Sequence, residues 1–378
     1  MDSPQVARTL VDSAGGTAAH TREAIRQIGV PETAAFLADE LAGRTETVTI
    51  RHAAEVQFVF DDRYAPDAAD PVPWTFRVGP EGVTHRAGAL PDPGAVVTQD
   101  LTELARSLYG PAADRSDATR TVWWRDHDDP RVYFDPPPVF PAVERLLAAA
   151  DGRDVPGLAG LALRHGSDKW GIHTYTAAYE QHFAPFRDRA VTVVEIGVGG
   201  YDDPAAGGGS LRMWKRYFRR GLVYGVDIAD KSRHREPRVH TVVADQSDPA
   251  SLRDLADAIG PIDIVIDDGS HISAHVVTAF STLFPRLNPG GLYVVEDLQT
   301  SYWPAFQGAY DDDTRTSVGF LKRLVDGLHH AEYPSRAGRP AQPTDRTVGS
   351  LHFHPNLAFV EKRANSGHGG ISRLREAT

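Results

Sequence analysis

In the second half of the chain, apolar runs at 191–198, 222–228, 239–244, 262–266 and 292–295 alternate with helical periodicity at 210–220, 249–259 and 273–286. The runs are nearly continuous in β-branched residues, as in strands covered by helices on both faces. Such alternation predicts an α/β fold with a parallel sheet and right-handed crossovers. Two further runs, Val348 to His354 and Leu357 to Lys362, flank Pro355-Asn356 and predict a closing antiparallel hairpin with the proline kept to its turn. Another helix is expected near Thr314 to His330, followed by a Pro-rich loop.

The first half is patterned differently. Helical spacing runs from Gln5 to about Arg44, with Pro31 opening a new helix. Strand-like alternation follows at 47–61, 74–78 and 82–85, and Asp100 caps a helix. Residues up to about 110 thus form a small α+β unit, and the stretch 110–139, rich in Pro, Asp and Arg, reads as a linker. Its Trp123-Trp124 pair suggests an interdomain or intersubunit seat more than a ligand cage. The expected division is an auxiliary domain with linker at 1–139 and a second domain at 140–378, which opens with a helix at 140–150.

Chemistry gathers at the strand ends, where open parallel sheets bind ligands. The first run continues as Glu195-Ile196-Gly197-Val198-Gly199-Gly200-Tyr201, a turn in which Gly197 and Gly199 allow close approach of a ligand. Asp227, about 30 residues on, can accept from ribose hydroxyls. Asp245 and Gln246 are placed for an adenine edge. A dinucleotide turn wants glycine where Asp202 stands, and the run 202–209 separates this turn from its helix, so no helix terminus cradles a pyrophosphate. Ser210, read as an N-cap, can hold a small carboxylate instead. Adenosine plus an amino-acid carboxylate without phosphate describes S-adenosylmethionine.

A second set of acids, the pairs Asp267-Asp268 and Glu296-Asp297, ends adjacent strands. Three carboxylates there can converge on a hard cation such as Mg²⁺, which prefers oxygen ligands. His271 would face the same pocket with a pKa suited to taking a proton near neutrality. An isolated pair one helical turn apart, His271 and His275, does not make a zinc site.

Composition narrows the partners. A net charge of −11 argues against nucleic acid. The absence of cysteine removes disulfides and thiolate sites and fits a cytoplasmic protein. No apolar stretch approaches a membrane span.

Five motifs, Ser167-Asp168-Lys169-Trp170-Gly171, EIGVGGY at 195–201, GSLRMWK at 209–215, DDGSH at 267–271 and EDLQTSYW at 296–303, together make the chain resemble the macrolide sugar O-methyltransferases. The resemblance implies a Rossmann-like class I methyltransferase sheet preceded by an auxiliary domain, and methyl transfer from S-adenosylmethionine to a deoxysugar hydroxyl. It implies Mg²⁺ held by Asp268, Glu296 and Asp297, choosing Asp268 where spacing left the pair open. It further implies His271 as general base and a homo-oligomer. The residues alone leave two other readings: methylation of a catechol-like diol, and a non-catalytic S-adenosylmethionine-binding assembly protein.

Overall fold

The computed structural model describes all residues except 1–2, 46–49, 51, 63–69, 126–127, 129–136, 153–156, 202, 311–314, 334–339 and 368–378. Asp202, the start of the strand expected at 47–61, Thr314, the heart of the Pro-rich loop and most of the polar tail therefore lie outside the described residues.

The chain opens with three helices, α1 (Ser3–Ala14), α2 (Ala18–Ile28) and α3 (Val30–Thr45). The first sheet follows: β1 (Ala54–Asp61), β2 (Val72–Gly79), β3 (Gly82–Ala87), β4 (Ala95–Asp100) and β5 (Thr121–Trp124). Its order is β3-β2-β1-β4-β5, with β1 and β4 parallel and the other pairs antiparallel. Helix α4 (Leu101–Tyr109) begins at the expected cap, where the Asp100 carboxylate accepts from the Glu103 N–H at 2.9 Å.

Three features depart from expectation. Strand β4 was unforeseen, although its burial alternates as a half-covered strand should. Strand β5 lies within the supposed linker, with Trp124 packed on Phe140 at 4.1 Å between ring centroids and Trp123 exposed. Helix α5 (Val139–Asp151), assigned to the second domain, packs instead on α3, α4, β1 and β4.

After α6 (Leu158–His165) and α7 (Thr176–Phe183), the second sheet alternates as predicted: β6 (Thr192–Ile196), α8 (Gly209–Tyr217), β7 (Leu222–Asp227), β8 (Val239–Val243), α9 (Pro249–Ile259), β9 (Ile262–Asp267), α10 (Ser273–Leu283) and β10 (Leu287–Val295). Helix α11 (Ser317–Leu328) precedes the antiparallel hairpin β11 (Val348–His354) and β12 (Leu357–Lys362).

The order of the second sheet is β11-β12-β10-β9-β6-β7-β8, with β10 through β8 parallel. Every residue of β6 is buried, as its apolar run requires. The chain leaves β6 for β7 on one side and later returns as β9 on the other. A crevice therefore opens beyond the carboxyl ends of β6 and β9, the switch point where such sheets bind ligands.

The two sheets share one core and a buried ion cluster. Glu40 of α3 accepts from Arg44 at 2.8 Å and from Arg238, just before β8, at 2.6 Å, with Lys215 of α8 at 3.8 Å. Burial opposes the charge on Glu40, but these cations hold its carboxyl well below the usual range.

Candidate active site

The glycine turn is shaped by contact with the next loop. Gly197 has φ 92°, and a side chain there would collide with the Asp268 carbonyl oxygen. Gly199, at φ 79°, continues the turn, and Gly208 donates its N–H to the Val198 carbonyl at 2.8 Å. The loop thus folds back and starts α8 beside the turn, where sequence spacing had placed the helix too far away. Ser210 is not the N-cap; Gly208 occupies that position at φ 74°, and the Ser210 hydroxyl donates to the buried Glu195 carboxylate at 2.8 Å.

Asp227, at the end of β7, accepts from the Val198 N–H at 3.0 Å and the Ala229 N–H at 2.9 Å. These bonds fix its orientation and leave lone pairs for a sugar diol. Tyr201 is 92% exposed at φ 47°, and Ile228 is also exposed, so both flank the turn in the open. Asp245 accepts from the Ser247 N–H and hydroxyl at 2.8 and 2.7 Å. Gln246, expected at an adenine edge, turns inward: its amide donates to Asp267 at 2.6 Å and accepts from the Ser270 N–H at 2.9 Å.

The paired acids face opposite ways. Asp267 is buried against Gln246 and the Tyr293 hydroxyl, and burial pushes its carboxyl up to about 7. Asp268 faces the crevice. Its carboxylate, the His271 imidazole and the Asp297 carboxylate bring ligand atoms within 4.8 Å of one another. His271 Nε2 stands 3.9 Å from Asp268 and 3.6 Å from Asp297. His271 and Asp297 have φ of 56° and 52°, a left-handed backbone uncommon outside glycine and often found at functional sites.

Glu296 is not within that trio. Buried like Glu195, it forms a second group with that residue and the half-buried Asp268, 2.7 Å from the Lys169 ammonium and hydrogen-bonded by the Tyr179 hydroxyl. Asp268 belongs to both groups and joins them. His275 is turned away, its Nδ1 2.9 Å from the Ser270 hydroxyl.

Other residues complete the site. Tyr175 donates to Asp297 at 2.7 Å, and His173 stacks on Tyr175 at 4.6 Å with Nε2 3.8 Å from the same carboxylate. Burial opposes the charge on Asp297, but the Tyr175 hydroxyl, followed by His271, holds its carboxyl below the usual range. Lys169, Tyr175 and Tyr179 all come from the polar, aromatic segment ahead of β6 or the helix after it. Nothing in the spacing of that segment distinguished these three side chains. Exposed Ile272 and Trp303, with Phe306 at 6.3 Å from His271, put apolar surface beside the acids.

Residues 7–120 match the family described as MycE methyltransferase N-terminal. Demethylmacrocin O-methyltransferase of Streptomyces fradiae is 43% identical over 374 residues, covering 96% of this chain and 92% of the relative. The chain belongs to the macrolide sugar O-methyltransferase family. Mycinamicin VI 2''-O-methyltransferase of Micromonospora griseorubida is 44% identical over 74% of this chain and 71% of its own. The solved MycE methyltransferase in complex with Mg, SAH and Mycinamycin VI superposes with a TM-score of 0.86 at 34% identity, covering 99% of both chains. This sugar O-methyltransferase therefore shares its whole layout, auxiliary sheet included, with a structure that holds both a metal and the demethylated cofactor.

Proposed function

We infer that this enzyme moves the methyl group of S-adenosylmethionine to a deoxysugar hydroxyl of a macrolide-like glycoside, with the help of a divalent cation. The observation that carries this reading is the convergence of Asp268, His271 and Asp297 at the switch-point crevice, beside the glycine turn at 197–199. The donor set fits Mg²⁺, since carboxylate oxygens suit a hard cation and cysteine is absent.

Asp268, Glu296 and Asp297 are assigned to hold the ion, with Glu296 reaching it from the buried group. Glu195, Gly197, Gly199, Tyr201, Ser210, Asp227 and Asp245 are assigned to the cofactor's side. Gln246 is assigned there through its hold on Asp267 and the Ser270 backbone. The ion, when bound, lowers the pKa of a coordinated hydroxyl by several units. The sulfonium of the cofactor makes its methyl group an electrophile with a neutral thioether as leaving group.

His271 accepts the proton of the sugar hydroxyl as the new C–O bond forms and the C–S bond breaks. The imidazole Nε2 lies 3.9 Å from Asp268 and 3.6 Å from Asp297. Asp297 is held in place by Tyr175, and Asp268 by Lys169. The relatives' sugar substrates favour a sugar hydroxyl over a catechol-like diol.

We further propose that the chain divides between α5 and α6 into an auxiliary unit and a catalytic unit, and works as a cytoplasmic homo-oligomer. The packing of α5 on the first sheet supports the division, and the exposed Trp123 on edge strand β5 supports association through that edge. Among the described residues no helix is long and apolar enough to cross a membrane. A substrate panel tests the reading: methylation is expected on macrolide glycosides carrying an unmethylated deoxysugar, and not on the aglycones or on catechol. Turnover of catechol in preference to any glycoside would overturn it.

A further inference from the structure

The segment at 167–171 delivers a side chain that reaches more than the one carboxylate it was given above. Lys169 is fully buried, and its ammonium lies 2.7 Å from Glu296, 2.8 Å from Asp268 and 3.4 Å from Glu195. The ammonium donates to Asp268 and lies closest to Glu296, with Glu195 farther out as an ion-pair partner.

Its backbone is fixed as well. The Lys169 carbonyl accepts from the Tyr175 N–H at 3.2 Å, and Trp170 pairs with Thr174 to close the loop. The backbones of Asp268 and Glu296 are set by the pairing of β9 with β10. What the sheet does not set is how far apart the two carboxylates stand, because each sits on a rotatable side chain. Lys169 spans them.

Ion size depends on that spacing. Mg²⁺ requires near-octahedral ligands at about 2.0–2.1 Å, whereas Ca²⁺ accepts looser geometry at about 2.3–2.6 Å. Carboxylates without a shared cation repel one another. We propose that Lys169 is a positioning residue that sets the spacing of the Asp268 and Glu296 carboxylates and thereby makes the enzyme select a small divalent cation. This rests on the ion site assigned above. A lysine that served only folding would affect all ions alike.

The test measures Mg²⁺ and Ca²⁺ affinities by displacement of Mn²⁺, followed by electron paramagnetic resonance, in enzyme loaded with S-adenosylhomocysteine. The wild type is expected to prefer Mg²⁺. In Lys169→Met the Mg²⁺/Ca²⁺ affinity ratio is expected to fall by about tenfold or more, the scale on which groups behind metal ligands act. A ratio within about twofold of wild type in folded K169M, well below that scale, would overturn the proposal. Lys169→Gln keeps a polar side chain of shorter reach and serves where K169M does not fold: a fall in the ratio supports the proposal, and none overturns it. A wild type that binds no divalent cation refutes the ion site itself, a failure distinguishable from an unchanged ratio.

Discussion

His271 carries the largest chemical burden of any single residue in this account, and its backbone shapes the choice of variant. At φ 56° the position tolerates asparagine better than alanine. His271→Asn should therefore lower kcat by about 10²-fold or more, the usual range for a removed general base. Cofactor affinity measured by calorimetry should stay nearly unchanged. Gly197→Ala is expected to fail differently: its methyl group has no room beside the Asp268 carbonyl, and φ 92° is closed to alanine. Loss of stability by about 1–3 kcal/mol and loss of S-adenosylhomocysteine binding should appear together in thermal melts. At this scale the strand-end acids and glycines were legible because buried parallel strands leave their chemistry at their carboxyl ends. The inward turn of Gln246 was not, since it depends on where Asp267 and Ser270 lie in space.

Among the elements, the parallel strands announced themselves through β-branched runs, whereas β5 did not: four residues among prolines and aspartates give alternation too little length to register. Helix α7 was missed because its aromatic residues face different neighbours. Tyr179, mid-helix, reaches Glu296, while His182 near the C-terminal end meets His354 of β11 at 3.0 Å, with the His352 ring 4.7 Å away. Burial, followed by these two histidines, pushes His182 down to about 4. Its folded pKa is thus below its unfolded value of about 6.5. The stability it contributes is present above pH 6.5 and is lost as pH falls toward 4. Asp267, pushed up to about 7 by burial, works in the opposite sense, so the difference between variants is the useful quantity. The urea midpoint of His182→Gln should fall less than that of wild type between pH 7 and pH 5. Parallel slopes would contradict the assignment.

For the whole molecule, the two sheets behave as one body because Glu40 is buried among cations from the other unit. Glu40 and Arg44 pair at helical i, i+4 spacing, but nothing in the sequence announces their match with residues 215 and 238, since those partners are set by tertiary packing. Glu40→Gln leaves Arg238 buried without its counter-ion and is expected to cost about 3–5 kcal/mol. Denaturation should also lose the single transition expected of a shared core. The parallel sheet, the antiparallel hairpin and the auxiliary unit were foreseen in outline, while the strand order and the attachment of α5 to the first sheet were not. The central claim is that this assembly brings a cation, a base and a methyl donor to one sugar hydroxyl. It is tested most directly by following transfer of labelled methyl from S-adenosylmethionine to an unmethylated macrolide glycoside in EDTA and after Mg²⁺ is restored. The account predicts loss of transfer in chelator and its return with Mg²⁺; full transfer in chelator would contradict it.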